Sequence, residues 1–386
     1  MNAVLSRPKL AWRLRRAFAG FDIPLLLAVL MLGTIGLVAM YSAGFDDGTR
    51  FPDQVRNMAL ALGVLFLSAQ VPPQKLQRLA VPLYVAGVLL VAMTALPGLG
   101  ITKKGATRWL NLGVVIQPSE ILKIAMPLML AWWFHKREGQ PRVRDFVVAA
   151  VLLLAPVAVV VKQPDLGTAL LILASGVYVM FFAGLSWKLV LPVLATGAVV
   201  VAAVVLNEHR LCAPGVNWPL LRDYQQHRIC TLLDPTTDPL GKGFHIIQGM
   251  IAIGSGGVTG KGFMQGTQTH LEFIPERTTD FIFAAFCEEF GLVGVGVLLV
   301  GFTFLIFRGL VIAGQAPTVF TRLLAGAVTL SFFTYAFVNM GMVSGILPVV
   351  GVPLPFVSYG GTAMVTLGLG LGILMSVARS RRLMPS

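Results

Sequence analysis

Long apolar runs alternate with short polar ones from end to end of this chain. The runs are close to the roughly 20 residues that a helix needs to cross a hydrocarbon core of about 30 Å. They predict helices near 22–43, 55–71, 76–97, 118–135, 145–162, 165–184, 187–206, 279–307, 320–342 and 356–378. The expected fold class is an all-α polytopic membrane protein with about ten transmembrane helices. Most connections are short, and the exception is 207–278, a large loop between helices seven and eight. Its apolar stretch, His245–Ile253, is too short to span and predicts an interfacial or re-entrant element, which Gly254-Ser-Gly-Gly257 then breaks. A connection of this length is more often functional than a mere link.

Composition sharpens the picture. Hydrophobic residues make up 56% of the 386 and charged ones only 12%, which excludes two ordinary soluble domains. The first apolar run follows Arg7, Lys9, Arg13, Arg15 and Arg16, as a signal peptide would, but it is too long for a cleaved segment and reads as a retained helix. If that basic start is cytoplasmic, ten spans return the C-terminus to the same side. Of the 30 Lys and Arg, 17 then fall in cytoplasmic segments with three acids, Asp22, Glu138 and Asp145. That side carries +14 in a chain whose net charge is +13, so the basic excess is a topology signal and not a nucleic-acid footprint. The reading is one domain over 1–386, with a cytoplasmic N-terminus (1–21), an extracytoplasmic loop (207–278) and a cytoplasmic C-terminus (379–386).

Against this apolar background, individual charges need explaining. Glu272, Glu276, Arg277 and Asp280 crowd the entrance of the eighth helix. An acid just inside a membrane helix is costly, so it is retained for chemistry, for transport or as a cap. Thr278 or Thr279 could cap the helix, which leaves Asp280, beside Phe281 and Phe283, as a general base. Glu120 and Lys123 are three residues apart and share one helix face. They either neutralise each other or wall a polar cavity. Asp165 stands at a helix start, where a carboxylate suits the dipole. Lys103, Lys104 and Arg108 run against the charge rule on the outer side, as solvated charges or as contacts to something anionic. Cys212 and Cys230 share the outer loop, where an oxidising compartment permits a disulfide or leaves two thiols, and Cys287 reads as a packing residue. No His/Cys spacing marks a metal site.

Four motifs taken together resemble a known family: PERTTDFIF from Pro275, QPSEILK from Gln117, QPDLGT from Gln163 and PLPFVSYGG from Pro353. They are similar to the SEDS (shape, elongation, division, sporulation) peptidoglycan polymerases over nearly the whole chain. LEFIPER from Leu271 and GILPVVGVP from Gly345 resemble the RodA, or elongation, branch more than the FtsW division branch. The resemblance implies a glycosyltransferase in the bacterial cytoplasmic membrane that polymerises lipid II on the outer face for cell elongation and rod shape. It places the family's essential Asp on Asp280 and its other polar core positions on Trp109, Glu120, Lys123, Asp165 and Ser358. Thr278 departs from the family, which commonly has His there, so nothing assigned to that His carries over.

Forming a β-1,4 link from an α-linked sugar diphosphate is an inverting displacement. It needs a base for the acceptor 4-hydroxyl and positive charge for the departing diphosphate. Lys103, Lys104, Arg108 and Lys261 are the candidate cations, with a bound divalent ion as the alternative; Arg277 is a further candidate for substrate binding, and no other cofactor is expected. The competing function is a lipid II flippase, in which Glu120, Lys123 and Asp165 would line a path. The expected partners are lipid II, a class B penicillin-binding protein transpeptidase and other elongation-machinery membrane proteins. The transpeptidase contact is expected on helices eight and nine, where Gly291, Gly294, Gly296 and Gly301 permit close approach or serve packing within the bundle.

Overall fold

The computed structural model describes residues 20–382 apart from 95, 97–99, 104–105, 112, 114, 138–140, 214, 217, 219–222, 239–240 and 275. The expected N-terminal segment lies outside the described residues up to position 19, as do Lys104, the side chain of Lys103 and the last four positions. The long helices are α1 (Ile23–Ala43), α2 (Arg50–Ala69), α3 (Pro73–Thr94), α4 (Pro118–His135), α5 (Val143–Lys162), α6 (Leu166–Phe182) and α7 (Trp187–Leu206). The long loop carries α8 (Glu208–Leu211), α9 (Asp223–Leu233), α10 (Lys242–Ser255) and α11 (Thr267–His270). Then come α12 (Ile282–Gly314), α13 (Val319–Val343) and α14 (Gly361–Arg382).

Seven of the described helices, α1, α3, α5, α7, α12, α13 and α14, are long and apolar enough to cross a membrane. Of the other three long ones, α2 carries Arg50, Asp53 and Arg56, α4 carries Glu120 and Lys123, and α6 has 17 residues. The helical architecture has one addition that the apolar pattern does not show. Strands β1 (Gly100–Lys103), β2 (Ala106–Asn111) and β3 (Val115–Ile116) form an antiparallel sheet in the order β1-β2-β3, with Ile101 opposite Trp109 and Leu110 opposite Ile116. Central α13 and α14 are buried along most of their length, and α4 packs against both. By contrast, none of the 20 residues of α7 is buried.

Helix ends deviate from the apolar runs where local hydrogen bonds take over. α12 starts at Ile282, because Thr279 and Phe281 both donate their amides to the Glu276 carbonyl and close a turn that contains Asp280. α14 starts at Gly361, because the Ser358 hydroxyl accepts the Leu354 amide at 2.8 Å and holds 354–358 in a turn. At the other end of the bundle Arg308 makes a two-pronged ion pair with Asp22, at 2.9 and 2.7 Å, while Asp22 also caps α1 through the Leu25 amide. Arg379 meets Gln70 at the same end. These contacts gather the start of α1 and the ends of α2, α12 and α14.

The largest irregularity is inside α12. Gly291 takes φ 59° and ψ −161°, a conformation open in practice only to glycine, and divides the helix. The carbonyls freed there, of Glu288 and Glu289, accept the amides of Lys261 and Gly262, each at 3.0 Å. The amides of Leu292 and Val293 donate to Gly257 and Val258, again at 3.0 Å. The outer loop thereby fills a gap that lipid could not fill. The fit is tight: a β-carbon on Gly260 would lie 2.0 Å from the Glu289 carbonyl oxygen. Gly301, expected either to pack in the bundle or to meet a partner, lies against Leu32 of α1. Gly291→Ala is expected to destabilise the protein by about 1–3 kcal/mol from backbone conformation alone. A thermal unfolding midpoint in detergent equal to the parent's would contradict this account of the break.

Candidate functional site

A cavity of about 650 Å³ opens among the sheet, α4, α6, the outer loop and the 349–353 segment. Five of the residues singled out from sequence line it together: Trp109, Glu120, Lys123, Asp165 and Asp280. Arg108, one of the candidate cations, lines it too.

Asp280 sits in the turn before α12. Buried Asn339 of α13 donates its amide to the Asp280 carbonyl at 3.0 Å and to the Val352 carbonyl at 2.7 Å. One side chain thus fixes the Asp280 turn against the 349–353 segment. Tyr359 donates its amide to the Thr278 carbonyl at 2.9 Å and braces the same turn from the start of α14. The Asp280 carboxylate lies over Gly351, where a β-carbon would come within 3.3 Å of Oδ2.

Glu120 and Lys123 turn inward from the first turns of α4. Lys123 Nζ donates to Glu120 Oε1 at 2.6 Å, and Thr366 of α14 donates to Glu120 Oε2 at 3.0 Å. The ammonium also stands 5.4 Å from the centre of the Tyr335 ring. The pair is therefore both self-neutralising and part of the wall; the two sequence readings are compatible. Asp165 caps α6 by accepting the Thr168 amide at 3.2 Å, and its other oxygen takes Gln117 at 2.9 Å and Arg108 at 3.4 Å. Capping and cavity lining again coincide.

Three other residues stand apart from the cavity lining. Lys261 reaches Glu288 at 2.7 Å, a carboxylate that also accepts the amides of Gln268 and Thr269. Its charge is committed to holding the loop on α12. Arg277 donates to the Ala43 carbonyl at 2.9 Å and pairs with Asp46 at 2.5 Å. That hydrogen bond holds the Asp46 carboxyl below its usual range. Ser358 is spent on the 354–358 turn. Lys261, Arg277 and Ser358 thus lie outside the cavity lining, each with a partner that organises the backbone around the site.

Sequence reasoning missed Gln117, Arg228, His245 and Tyr359 among the lining residues, and Asn339 behind Asp280. Gln117 stood inside a motif already marked, so its signal was present. Arg228 and His245 belong to α9 and α10 of the long loop, and only tertiary docking brings them in. Cys212 and Cys230 are joined by a disulfide with Cα atoms 5.6 Å apart. Among the described residues there is no group of three or more His, Cys, Asp or Glu suited to a metal ion.

The profile of a family described as a cell cycle protein, FTSW_RODA_SPOVE, matches residues 23–383. The chain is 45% identical over 364 residues to a protein of Escherichia coli K12 named peptidoglycan glycosyltransferase MrdB, covering 94% of this chain and 95% of that one. It is 33% identical over 369 residues to a Geobacter metallireducens protein named probable peptidoglycan glycosyltransferase FtsW, covering 93% and 94%. Among solved structures, a chain from work described as structural coordination of polymerization and crosslinking by a peptidoglycan synthase complex superposes with a TM-score of 0.77 at 32% identity, covering 94% of this chain and 99% of that one. The Thermus thermophilus rod shape determining protein RodA superposes with a TM-score of 0.67 at 28% identity, covering 94% and 98%.

Removing one member of a buried ion pair costs about 3–5 kcal/mol, whereas replacing both by apolar groups is often near neutral. Glu120→Ala is therefore expected to lower stability by that amount, and adding Lys123→Met to recover most of it. Equal unfolding midpoints for the single and double variants would show that the pair is not coupled.

Proposed function

From the premise that the chain belongs to the FtsW/RodA/SpoVE family, we propose that it polymerises lipid II on the outer face of the bacterial cytoplasmic membrane, with Asp280 as the base. It is a peptidoglycan glycosyltransferase of the RodA branch, on the strength of its relatives. The observation that carries the assignment of the base is the position of Asp280, held by Asn339 at the wall of the one cavity that gathers Trp109, Glu120, Lys123 and Asp165.

The chemistry follows from those groups. The acceptor 4-hydroxyl gives its proton to the Asp280 carboxylate as its oxygen attacks the anomeric carbon of the donor sugar. The bond from that carbon to the diphosphate breaks, the diphosphate leaves with the electron pair, and the configuration inverts from α to β. Trp109 and the Glu120–Lys123 pair shape the pocket for the sugars. The site needs no second carboxylate nucleophile, because water is not the acceptor and no covalent sugar intermediate forms.

All ten long helices span in this reading, both termini are cytoplasmic, and the loop from 207 to 278 lies outside. The Asp22–Arg308 pair supports it, since both residues belong to the side assigned as cytoplasmic from charge counts. The chain works beside a class B penicillin-binding protein, in line with the polymerising and crosslinking complex that its structural relative comes from. Exposed Leu292, Val300 and Phe307 on α12, with Phe337 on α13, offer the apolar face for that contact.

Purified parent protein is expected to convert lipid II into glycan strands. Asp280→Asn, nearly isosteric, should reduce the rate by at least about a hundredfold, the lower range for a general base, with an unchanged unfolding midpoint. Polymerisation by that variant near the parent rate would remove Asp280 from the role.

A further inference from the structure

Two arginines that line the cavity take no part in the proton transfer. Lys123 is matched by Glu120, Arg277 by Asp46 and Lys261 by Glu288. Arg108 on β2 and Arg228 on α9 both line the cavity, and the carboxylate they face is Asp165. Asp165 is already engaged, by the Thr168 amide on one oxygen and by Gln117 on the other. Two guanidinium groups thus draw on one carboxylate that has other donors to satisfy.

The hydrogen-bond accounting points the same way. Arg108 Nε and Arg228 Nη1 are buried and have no hydrogen-bond partner. Burial, set against attraction to Tyr224 and Asp165 and joined by repulsion from Arg108, pushes the Arg228 guanidinium below its usual range, although an arginine stays charged. A buried donor without an acceptor is costly, and so is a pair of like charges sharing one counter-ion. An anionic ligand with several oxygens would relieve both at once.

The loop that delivers Arg228 is held firmly. Cys230, two residues further on, is bonded to Cys212. Gln226 donates to the Val216 carbonyl at 2.6 Å and accepts the Trp218 amide at 3.2 Å, while the Trp218 ring nitrogen donates to the Leu211 carbonyl at 2.9 Å. Tyr224 reaches the Val161 carbonyl at the end of α5 at 3.4 Å, and its ring lies 5.8 Å from the Arg228 guanidinium carbon.

We propose that Arg108 and Arg228 form the subsite for the diphosphate of a polyprenyl-linked donor, and that the Cys212–Cys230 staple holds Arg228 in it. The identity of the ligand rests on the polymerase reading; the anion site rests on the geometry. Planar guanidinium forks suit adjacent phosphate groups, each able to take paired N–H donors. Bound there, the diphosphate would have its departing charge met by Arg108 and Arg228 as the bond to the sugar breaks.

The test measures binding of undecaprenyl diphosphate, undecaprenyl monophosphate and undecaprenol to the full chain carrying Asp280→Asn, alongside lipid II polymerisation by the parent. Adding Arg228→Gln is expected to weaken diphosphate binding by at least about tenfold, the ratio for one lost charge-assisted hydrogen bond, and to leave undecaprenol binding within about twofold. Retained undecaprenol binding shows that the variant is folded. Arg228→Lys should fall between, since it keeps charge but loses the fork. Replacing both Cys212 and Cys230 by Ser should weaken diphosphate binding in the same sense. Diphosphate affinity equal to the parent's in Arg228→Gln would overturn the subsite while polymerisation upheld the enzyme reading. Equal affinity in the double Ser variant would overturn the staple. A parent that binds the diphosphate through Arg228 yet makes no glycan would uphold the subsite and sink the polymerase reading.

Discussion

A helix inside a membrane cannot be interrupted unless something other than lipid or water accepts the backbone bonds it gives up. That constraint shapes the half of this protein that carries the long loop. The break at Gly291 frees the carbonyls of Glu288 and Glu289, and the amides of Lys261 and Gly262 take them. The same contact buries the Glu288 side chain against Lys261, Gln268 and Thr269, so the loop is fastened by backbone and charge together. With residues 256–269 docked on α12, α10 lies close enough for His245 to stand 5.6 Å from the Phe281 ring, next to Asp280. The long loop is thus part of the bundle, and the cavity is walled by it.

Charge follows a similar logic. Most ionised groups near the apolar interior are held in pairs: Asp22 with Arg308 at one end, Glu120 with Lys123 along the cavity, Arg277 with Asp46 near the Asp280 turn. Where such a pair is buried, as for Glu120 and Lys123, it is more a positional lock than a source of stability. Beside Asp165 the pairing is uneven, because two half-buried arginines face one carboxylate.

Much of this was legible from the chain alone, for definite reasons. Apolar runs of membrane length locate the long helices, since the bilayer imposes one length scale on all of them. Asp165, Glu120 and Lys123 were readable because their local setting, a helix start and a shared helix face, already limits where they can point. That Lys261 and Arg277 stand apart from the cavity lining was not legible, because their partners are distant in sequence. Arg277 finds Asp46 although α2 to α11 and the sheet lie between them in sequence, and Lys261 finds Glu288 only through the break at Gly291. Arg228 gave no sequence signal and His245 only a place in a re-entrant stretch, because a loop residue becomes a site residue only when the loop docks. The small sheet was hidden for a related reason: its strands are two to six residues long, too short for an alternation to stand out.

α7 has a different standing from every other long helix. None of its 20 residues is buried, and its ring contact, Trp187 edge-on to Phe181, lies at its first residue. Its length, about 30 Å at 1.5 Å per residue, equals the thickness of a hydrocarbon core. In a bilayer, with no buried face to orient it, α7 draws its tilt from the lipid, and through α8 it runs into the stapled loop. A micelle, whose apolar thickness and composition differ from a bilayer's, is therefore a different environment for this one arm of the protein.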